Sequence, residues 1–358
     1  MSESATMVRP WVVVVGGFLG AGKTTLIMAA ARELERRGLR SAVVMNDQGE
    51  ALVDTAFASA HGLQRGEVTG GCFCCKFSGL VNAMEELREL SLDVIFAEPV
   101  GSCTDISATT LQPLREYSET CRLAPYTVLV DPQRAKELLG GDSDPNLKFL
   151  FTKQLQEADI VCFTKSDVNQ DFPDIGAQHV RRISAKTGQG LAAWLDEILS
   201  GKLFAGGKIL DIDYEQYAQA EAALAWLNLQ VDIIPGTPRS SSMILVPLLD
   251  QLDADFTASG ISIVHLKAIM SSPSGFLKAA TCANGQRPII EGVLDASPYS
   301  RHNLLLNLRA IGAAQQVREI VERDLHKMNI GLTNLHVTCF HPAAPRPERR
   351  MMEISQGI

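Results

Sequence analysis

Residues 17–25 read Gly-Phe-Leu-Gly-Ala-Gly-Lys-Thr-Thr, directly behind the apolar run Trp11–Val15 and at the head of a helix-forming stretch, Thr24–Arg37, that stops at Gly38. A strand, a glycine loop and a helix in that order leave few folds open. Gly17, Gly20 and Gly22 let the backbone curl so that its N–H groups, with those of Ala21 and Thr25, point inward at an anion. The helix dipole adds its positive end to the same place. Lys23 can reach the β and γ oxygens of a triphosphate, and the Thr24 hydroxyl can ligate Mg²⁺. The chain is therefore read as a nucleoside-triphosphate binder.

Short β-branched runs alternate with helical stretches through the first half: Trp11–Val15, Ser41–Asn46, Asp93–Ala97, Tyr126–Val130, Asp159–Phe163 and Val180–Ile183, closing with a helix over Leu191–Leu199. The pattern predicts an α/β P-loop domain, a mostly parallel sheet with helices on both faces, whose binding loops gather at the carboxyl ends of the strands. Gly201–Asp213 reads as a linker. Beyond it the sequence predicts strand 224–231, helix 242–252, strands 262–269, 276–282 and 289–294, one long helix His302–Met328, and a last strand Leu335–Phe340. That order suggests a smaller α+β domain of the split βαβ type. The expected boundaries are 1–205 for the P-loop domain, 206–342 for the second domain and 343–358 for a tail.

A chain of 358 residues, 46% hydrophobic and 21% charged, is ordinary globular material. A net charge of −8 argues against a nucleic-acid partner. Arg346, Arg349 and Arg350 form the one compact basic cluster and are read as a solvated tail. No apolar run approaches the roughly 20 residues that span a bilayer, and Met1–Pro10 lacks a secretion signal, so the expectation is a cytoplasmic protein without membrane contact. Its eight cysteines are then thiols, not disulfides.

Three further motifs each follow one of the predicted strands. Glu98, ending Asp93–Glu98, is the candidate acid for Mg²⁺, directly or through a water, and Gly101 could offer a backbone N–H to the γ-phosphate. Thr164-Lys165-Ser166-Asp167 indicates the base: a carboxylate at Asp167 accepts from guanine N1–H and N2–H₂, which adenine lacks, so GTP is expected. Ser184-Ala185-Lys186 is placed for a backbone contact to guanine O6. The third motif, Gly71-Cys72-Phe73-Cys74-Cys75, puts three thiols in four residues, which cannot form unstrained disulfides with one another but can converge on a soft cation such as Zn²⁺. Asp47, Glu50 and Asp54 are acidic candidates for a fourth ligand. Asn46-Asp47-Gln48-Gly49-Glu50 is also the natural nucleotide-sensing segment, so a metal bridging it to the cysteines would couple ion affinity to the γ-phosphate.

Together, Gly16–Thr25, Asn46–Glu50, Gly71–Cys75, Glu98-x-x-Gly101 and Thr164–Asp167 resemble the CobW-type GTPases, P-loop metallochaperones related to the hydrogenase and urease nickel-insertion GTPases. The resemblance covers about residues 10–200. It implies Mg²⁺-dependent GTP hydrolysis, binding of Zn²⁺, Co²⁺ or a similar ion at Cys72, Cys74 and Cys75, and delivery to a client metalloprotein or cofactor-biosynthesis pathway. Thr164 stands where many relatives have Asn, removing an amide that braces the base-binding loops. Asp47 and Gln48 stand where Glu and an aromatic are common.

Cys103, Cys121, Cys162 and Cys282 are isolated in sequence and read as core or surface thiols. His336, Cys339 and His341 are a weaker metal candidate, because five residues of extended chain put the two histidines on opposite faces. No residue announces itself as a general base, so slow turnover is expected, raised by a partner or by homodimerisation. Two rival readings remain: a nucleotide-gated redox switch that delivers no ion, and an ATP-dependent kinase or ligase acting on a small molecule.

Overall fold

The computed structural model of the protein describes residues 9–47, 53, 64–69, 71–177 and 180–354. The chain divides into two compact units, one of residues 1–48, 58–220 and 345–358, the other of residues 49–57 and 221–344.

In the first unit β1 (Trp11–Gly17), β2 (Ser41–Asp47), β3 (Gln64–Thr69), β4 (Val94–Glu98), β6 (Thr127–Val130), β7 (Ile160–Phe163) and β8 (Val180–Arg182) form a parallel sheet in the order β3-β2-β4-β1-β6-β7-β8. The short β5 (Arg122–Leu123) pairs with the start of β1. Helices α1 (Lys23–Arg36), α2 (Phe77–Leu87), α3 (Pro132–Leu139), α4 (Pro145–Glu157), α5 (Leu191–Ile198) and α6 (Tyr214–Ala222) accompany the strands. Val12 to Val15 are 0% exposed, the unbroken apolar run of a strand covered on both faces. Fully burying a side chain of this size is worth roughly 1.5 kcal/mol or more.

The sequence reading has no counterpart of β3. Its residues, Gln-Arg-Gly-Glu-Val-Thr, are polar because the strand sits at the sheet's edge beside β2, where alternation is weak and apolar exposure is selected against. The strand order matters for function. With β4 between β1 and β2, the loops leaving all three strands open at one end of the sheet, side by side.

The second unit is a six-stranded antiparallel sheet, β9 (Leu224–Ile234), β10 (Ser262–Ser272), β11 (Gly275–Thr281), β12 (Ile289–Gly292), β13 (His302–Ile311) and β14 (Gly331–Phe340), in the order β12-β11-β10-β13-β9-β14. Helices α7 (Ser241–Ala258) and α8 (Ala314–Lys327) share a core with alternate residues of β9 and β13, including Leu227, Leu229, Leu304 and Leu306. The predicted helix His302–Met328 is thus a strand followed by a helix. Leu304-Leu305-Leu306 fills both faces and hid the period of two, while Leu304, Leu306, Leu308 and Ala310 point at the helices. Pairing with β10 and β9 on its two sides then overrides local propensity.

Candidate nucleotide and metal site

The glycine loop after β1 adopts the conformations its sequence requires: Gly17, Gly20 and Gly22 have φ of 131°, 82° and 91°. Lys23 Nζ donates to the Gly17 carbonyl at 2.9 Å, curled over the loop it belongs to. Thr24 Oγ1 donates to Glu98 Oε1 at 2.9 Å, so the end of β4 meets the head of α1. A hydroxyl and a carboxylate, both buried, form an oxygen donor pair of the kind Mg²⁺ takes. Gly101 packs against the same loop: a Cβ there would lie 2.8 Å from Leu19 and 3.1 Å from Lys23 Nζ. A side chain at 101 would therefore crowd the lysine.

On the far side of β1, Thr164 Oγ1 donates to the Ala21 carbonyl at 2.9 Å. The Thr164 hydroxyl thus ties the loop after β7 to the phosphate loop. Lys165 Nζ pairs with Asp131. Ser184 Oγ donates to Asp167 Oδ1 at 2.8 Å, holding the half-buried carboxylate in one orientation beside Ala185 and Lys186. Thr187 N donates to Ser184 Oγ at 3.1 Å and fixes the 184–187 turn.

Three thiols gather in the loop before α2: the sulfurs of Cys72, Cys74 and Cys75 lie within 4.8 Å of one another, with Cys72 and Cys74 buried. Cys72 and Cys74 approach to 2.7 Å, and Cys74 and Cys75 to 3.6 Å. Asn46, at the end of β2, positions this loop. Its amide donates to Val68 O at 2.9 Å and Gly71 O at 2.6 Å, and its oxygen accepts from Phe73 N at 2.8 Å. Sequence reasoning placed Asn46 in the sensing segment and missed this bracing role, which only strand pairing reveals. The Asp47 side chain, Gln48, Glu50 and Asp54 lie outside the described residues.

Cys103, isolated in the sequence, is a buried thiol, 2% exposed. It lies in the turn after β4 and bears on the ionisation of Cys72 and Cys74. Hydrogen bonds from Cys103, Cys74 and Cys75 hold the Cys72 thiol well below the usual range. The same sharing, led by Cys103, pushes Cys74 well up, and the bond with Cys72 raises Cys75 to about 11. The cluster thus gives up one proton readily and the next with difficulty, unless a cation offsets the charge.

The reading of the basic tail as solvated is corrected for Arg349 and Arg350, whose side chains are paired, while the Arg346 side chain is exposed. Arg346 N donates to Cys75 Sγ at 3.2 Å, and Glu348 N to Cys74 O at 2.9 Å. The Glu348 carboxylate accepts from Ser78 N at 2.8 Å in the first turn of α2, where the helix dipole favours an anion. Arg349 grips Glu116 with two nitrogens, and Arg350 Nε donates to the buried Asp105 at 2.7 Å. Replacing Arg350 with Ala leaves Asp105, which Tyr214 also contacts at 2.7 Å, without its cation. The expected cost is about 2–3 kcal/mol at pH 8, from an uncompensated buried charge. Burial raises the Asp105 pKa, so a proton replaces the cation as pH falls and the deficit should shrink at pH 5. Equal deficits in urea unfolding at the two pH values would contradict this account.

His341 bridges Ala314 N at 3.2 Å and Leu224 O at 3.2 Å, a structural use of both ring nitrogens. Among the described residues the one cluster of metal-ligating side chains is Cys72, Cys74 and Cys75. No described helix is long and apolar enough to cross a membrane.

A parallel sheet with a phosphate loop after its central strand, and an acid from the neighbouring strand meeting the loop's threonine, defines a P-loop nucleotide-binding α/β protein. Residues 11–188 match the model of the CobW/HypB/UreG nucleotide-binding domain, and the chain belongs to that family, the CobW-type P-loop GTPases. It is similar to the zinc chaperone YjiA of Escherichia coli, with 31% identity over 184 residues covering 49% of this chain and 55% of the relative. With the zinc chaperone YeiR of the same organism, identity is 32% over 157 residues, covering 43% and 46%. The chain spans about half the length of these curated relatives. Among solved structures, HypB from Helicobacter pylori in complex with nickel overlaps at a TM-score of 0.41 with 17% identity, covering 53% of this chain and 86% of that one.

Proposed function

We propose that the protein is a slow, Mg²⁺-dependent GTPase that binds a zinc ion at Cys72, Cys74 and Cys75 and hands it to a client metalloprotein or cofactor pathway in the cytoplasm. The observation that carries this reading is the presence of two sites in one unit: the Lys23, Thr24 and Glu98 constellation at the ends of β1 and β4, and a three-thiol cluster on the loop leaving β3, which pairs with β2. Lys23 neutralises the β and γ phosphates, and Thr24 with Glu98 holds the metal that supplies charge neutralisation during phosphoryl transfer. Asp167, oriented by Ser184, selects guanine over adenine. Zinc is preferred to Co²⁺ because thiolates suit it and because the curated relatives YjiA and YeiR are called zinc chaperones. Homodimerisation is one way for turnover to rise, since no described side chain stands out as a general base.

The test is zinc affinity measured with a hydrolysis-resistant GTP analogue and with GDP. The two constants should differ by about tenfold or more, a coupling of roughly 1.4 kcal/mol. The Cys74→Ser/Cys75→Ser protein should lose its zinc in either state. Identical constants would refute delivery and leave a nucleotide switch. A second reading, a thiol redox switch, is favoured by the 2.7 Å approach of Cys72 and Cys74. It predicts a purified protein without metal whose nucleotide affinity changes on oxidation.

A further inference from the structure

We infer that the C-terminal stretch Arg346–Arg349 belongs to the metal site: it straps the mouth of the thiol cluster, and an ion enters or leaves when the strap lifts. This rests on the thiol cluster being a metal site and adds to it a cover that sets the rate of exchange.

The residues Pro345-Arg346-Pro347-Glu348 suit a segment that lies across a loop. Proline fixes φ and carries no N–H, and the residue before a proline is held extended. Two backbone donors remain in these four residues, and both are spent on the cysteine loop. Arg346 N donates to Cys75 Sγ at 3.2 Å, and Glu348 N to the Cys74 carbonyl at 2.9 Å. The contact falls where the cluster is open. Cys72 and Cys74 are 5% and 1% exposed, whereas Cys75 is half-buried and takes the strap directly on its sulfur.

The strap is latched at one end and anchored at the other. Helix α2 begins two residues after Cys75, and its N-cap residue, Lys76, makes no side-chain capping bond. Glu348 supplies that bond from 270 positions away, accepting from Ser78 N at 2.8 Å and from Ser78 Oγ at 3.1 Å. Arg349 grips Glu116 and lies 5.8 Å from the centre of the Phe77 ring. These latch contacts are exposed, and exposed ion pairs are weak. Further on, Arg350 holds the buried Asp105, and Met351 N donates to the Ala108 carbonyl at 2.9 Å. A buried pair left without its partner is costly, so the anchor outlasts the latch. The strap therefore opens over Cys75 first and stays attached beyond it.

The experiment uses the full chain as wild type, Glu348→Ala/Arg349→Ala and Glu348→Gln, which leave the cysteines, Arg350 and the phosphate loop in place. In reduced, metal-stripped protein, alkylation of each cysteine by iodoacetamide is followed by mass spectrometry. In zinc-loaded protein, zinc entry and release are timed with a chromophoric chelator. Removing the exposed latch should raise Cys75 alkylation, zinc entry and zinc release about tenfold each, with the zinc dissociation constant held within about threefold. Cys162, 0% exposed and remote in sequence, should keep its alkylation rate. Glu348→Gln retains an oxygen for Ser78 N and should fall between the two. A Cys75 rate equal to that of wild type in the double variant overturns the strap. Faster release with unchanged entry also overturns it, because the segment then supports the ligands and does not cover them. Cys162 quickening in step with Cys75 in both variants does the same, since the effect is then general loosening. If wild type holds no zinc, the metal site itself is wrong and the strap's hold on ion exchange falls with it, whereas the alkylation rates still show whether the thiols are covered.

Discussion

The Lys23→Ala protein is expected to lose triphosphate binding, with affinity for a GTP analogue falling on the order of 10³-fold. Lys23 is 8% exposed, and its ammonium already sits over the glycine loop on the Gly17 carbonyl. No other cation is placed there by the glycine loop, whose remaining contribution is neutral N–H groups. Each charge-assisted hydrogen bond to a phosphate is worth roughly 1.5–3 kcal/mol, and Lys23 is positioned for two, so its removal costs about 4 kcal/mol. Titration calorimetry decides the matter, and an affinity within threefold of the parent would refute the loop assignment. The thiol cluster sits on another loop, so metal content without nucleotide should be unchanged.

How much of this could be read without coordinates depends on what each part asks of the chain. The phosphate loop needs left-handed backbone at set places, and that requirement writes glycine into the sequence at Gly17, Gly20 and Gly22. The cysteine motif was legible because the thiols are close along the chain. The bracing of that loop by Asn46 was not: it depends on β2 pairing with β3, which no local pattern records. Arg349 and Arg350 read as a free basic tail because their partners, Glu116 and Asp105, lie 233 and 245 positions upstream. The strand β13 was hidden by a run of leucines compatible with either period, and β3 by the polar composition of an edge. In each case the missing information is a long-range contact, not a local propensity.

The second large effect concerns Glu157, at the end of α4. It is 0% exposed, accepts from Thr104 Oγ1 at 3.1 Å and from Ser107 N at 3.2 Å, and burial raises its pKa to about 8. Its value in the unfolded chain is about 4.3. Below that, both states hold the proton and the group costs nothing. As pH rises towards 8 the unfolded chain ionises while the native protein keeps its proton, so stability falls by roughly 1.4 kcal/mol per pH unit. The total is on the order of 5 kcal/mol, and above pH 8 the slope from this group vanishes. Glu157→Gln cannot ionise and can still accept from Thr104 or Ser107. It should match or fall slightly below the parent at pH 4.5, and exceed it by roughly 2–4 kcal/mol at pH 8. Denaturant unfolding at pH 5, 6.5 and 8 tests this, and parallel pH dependences for the two proteins would show that Glu157 does not hold its proton. Thr104 and Ser107 continue the segment that carries Glu98, Gly101 and Cys103. A carboxylate forced to ionise beneath that segment should loosen it, so the parent's nucleotide affinity should weaken above pH 8 while that of Glu157→Gln persists.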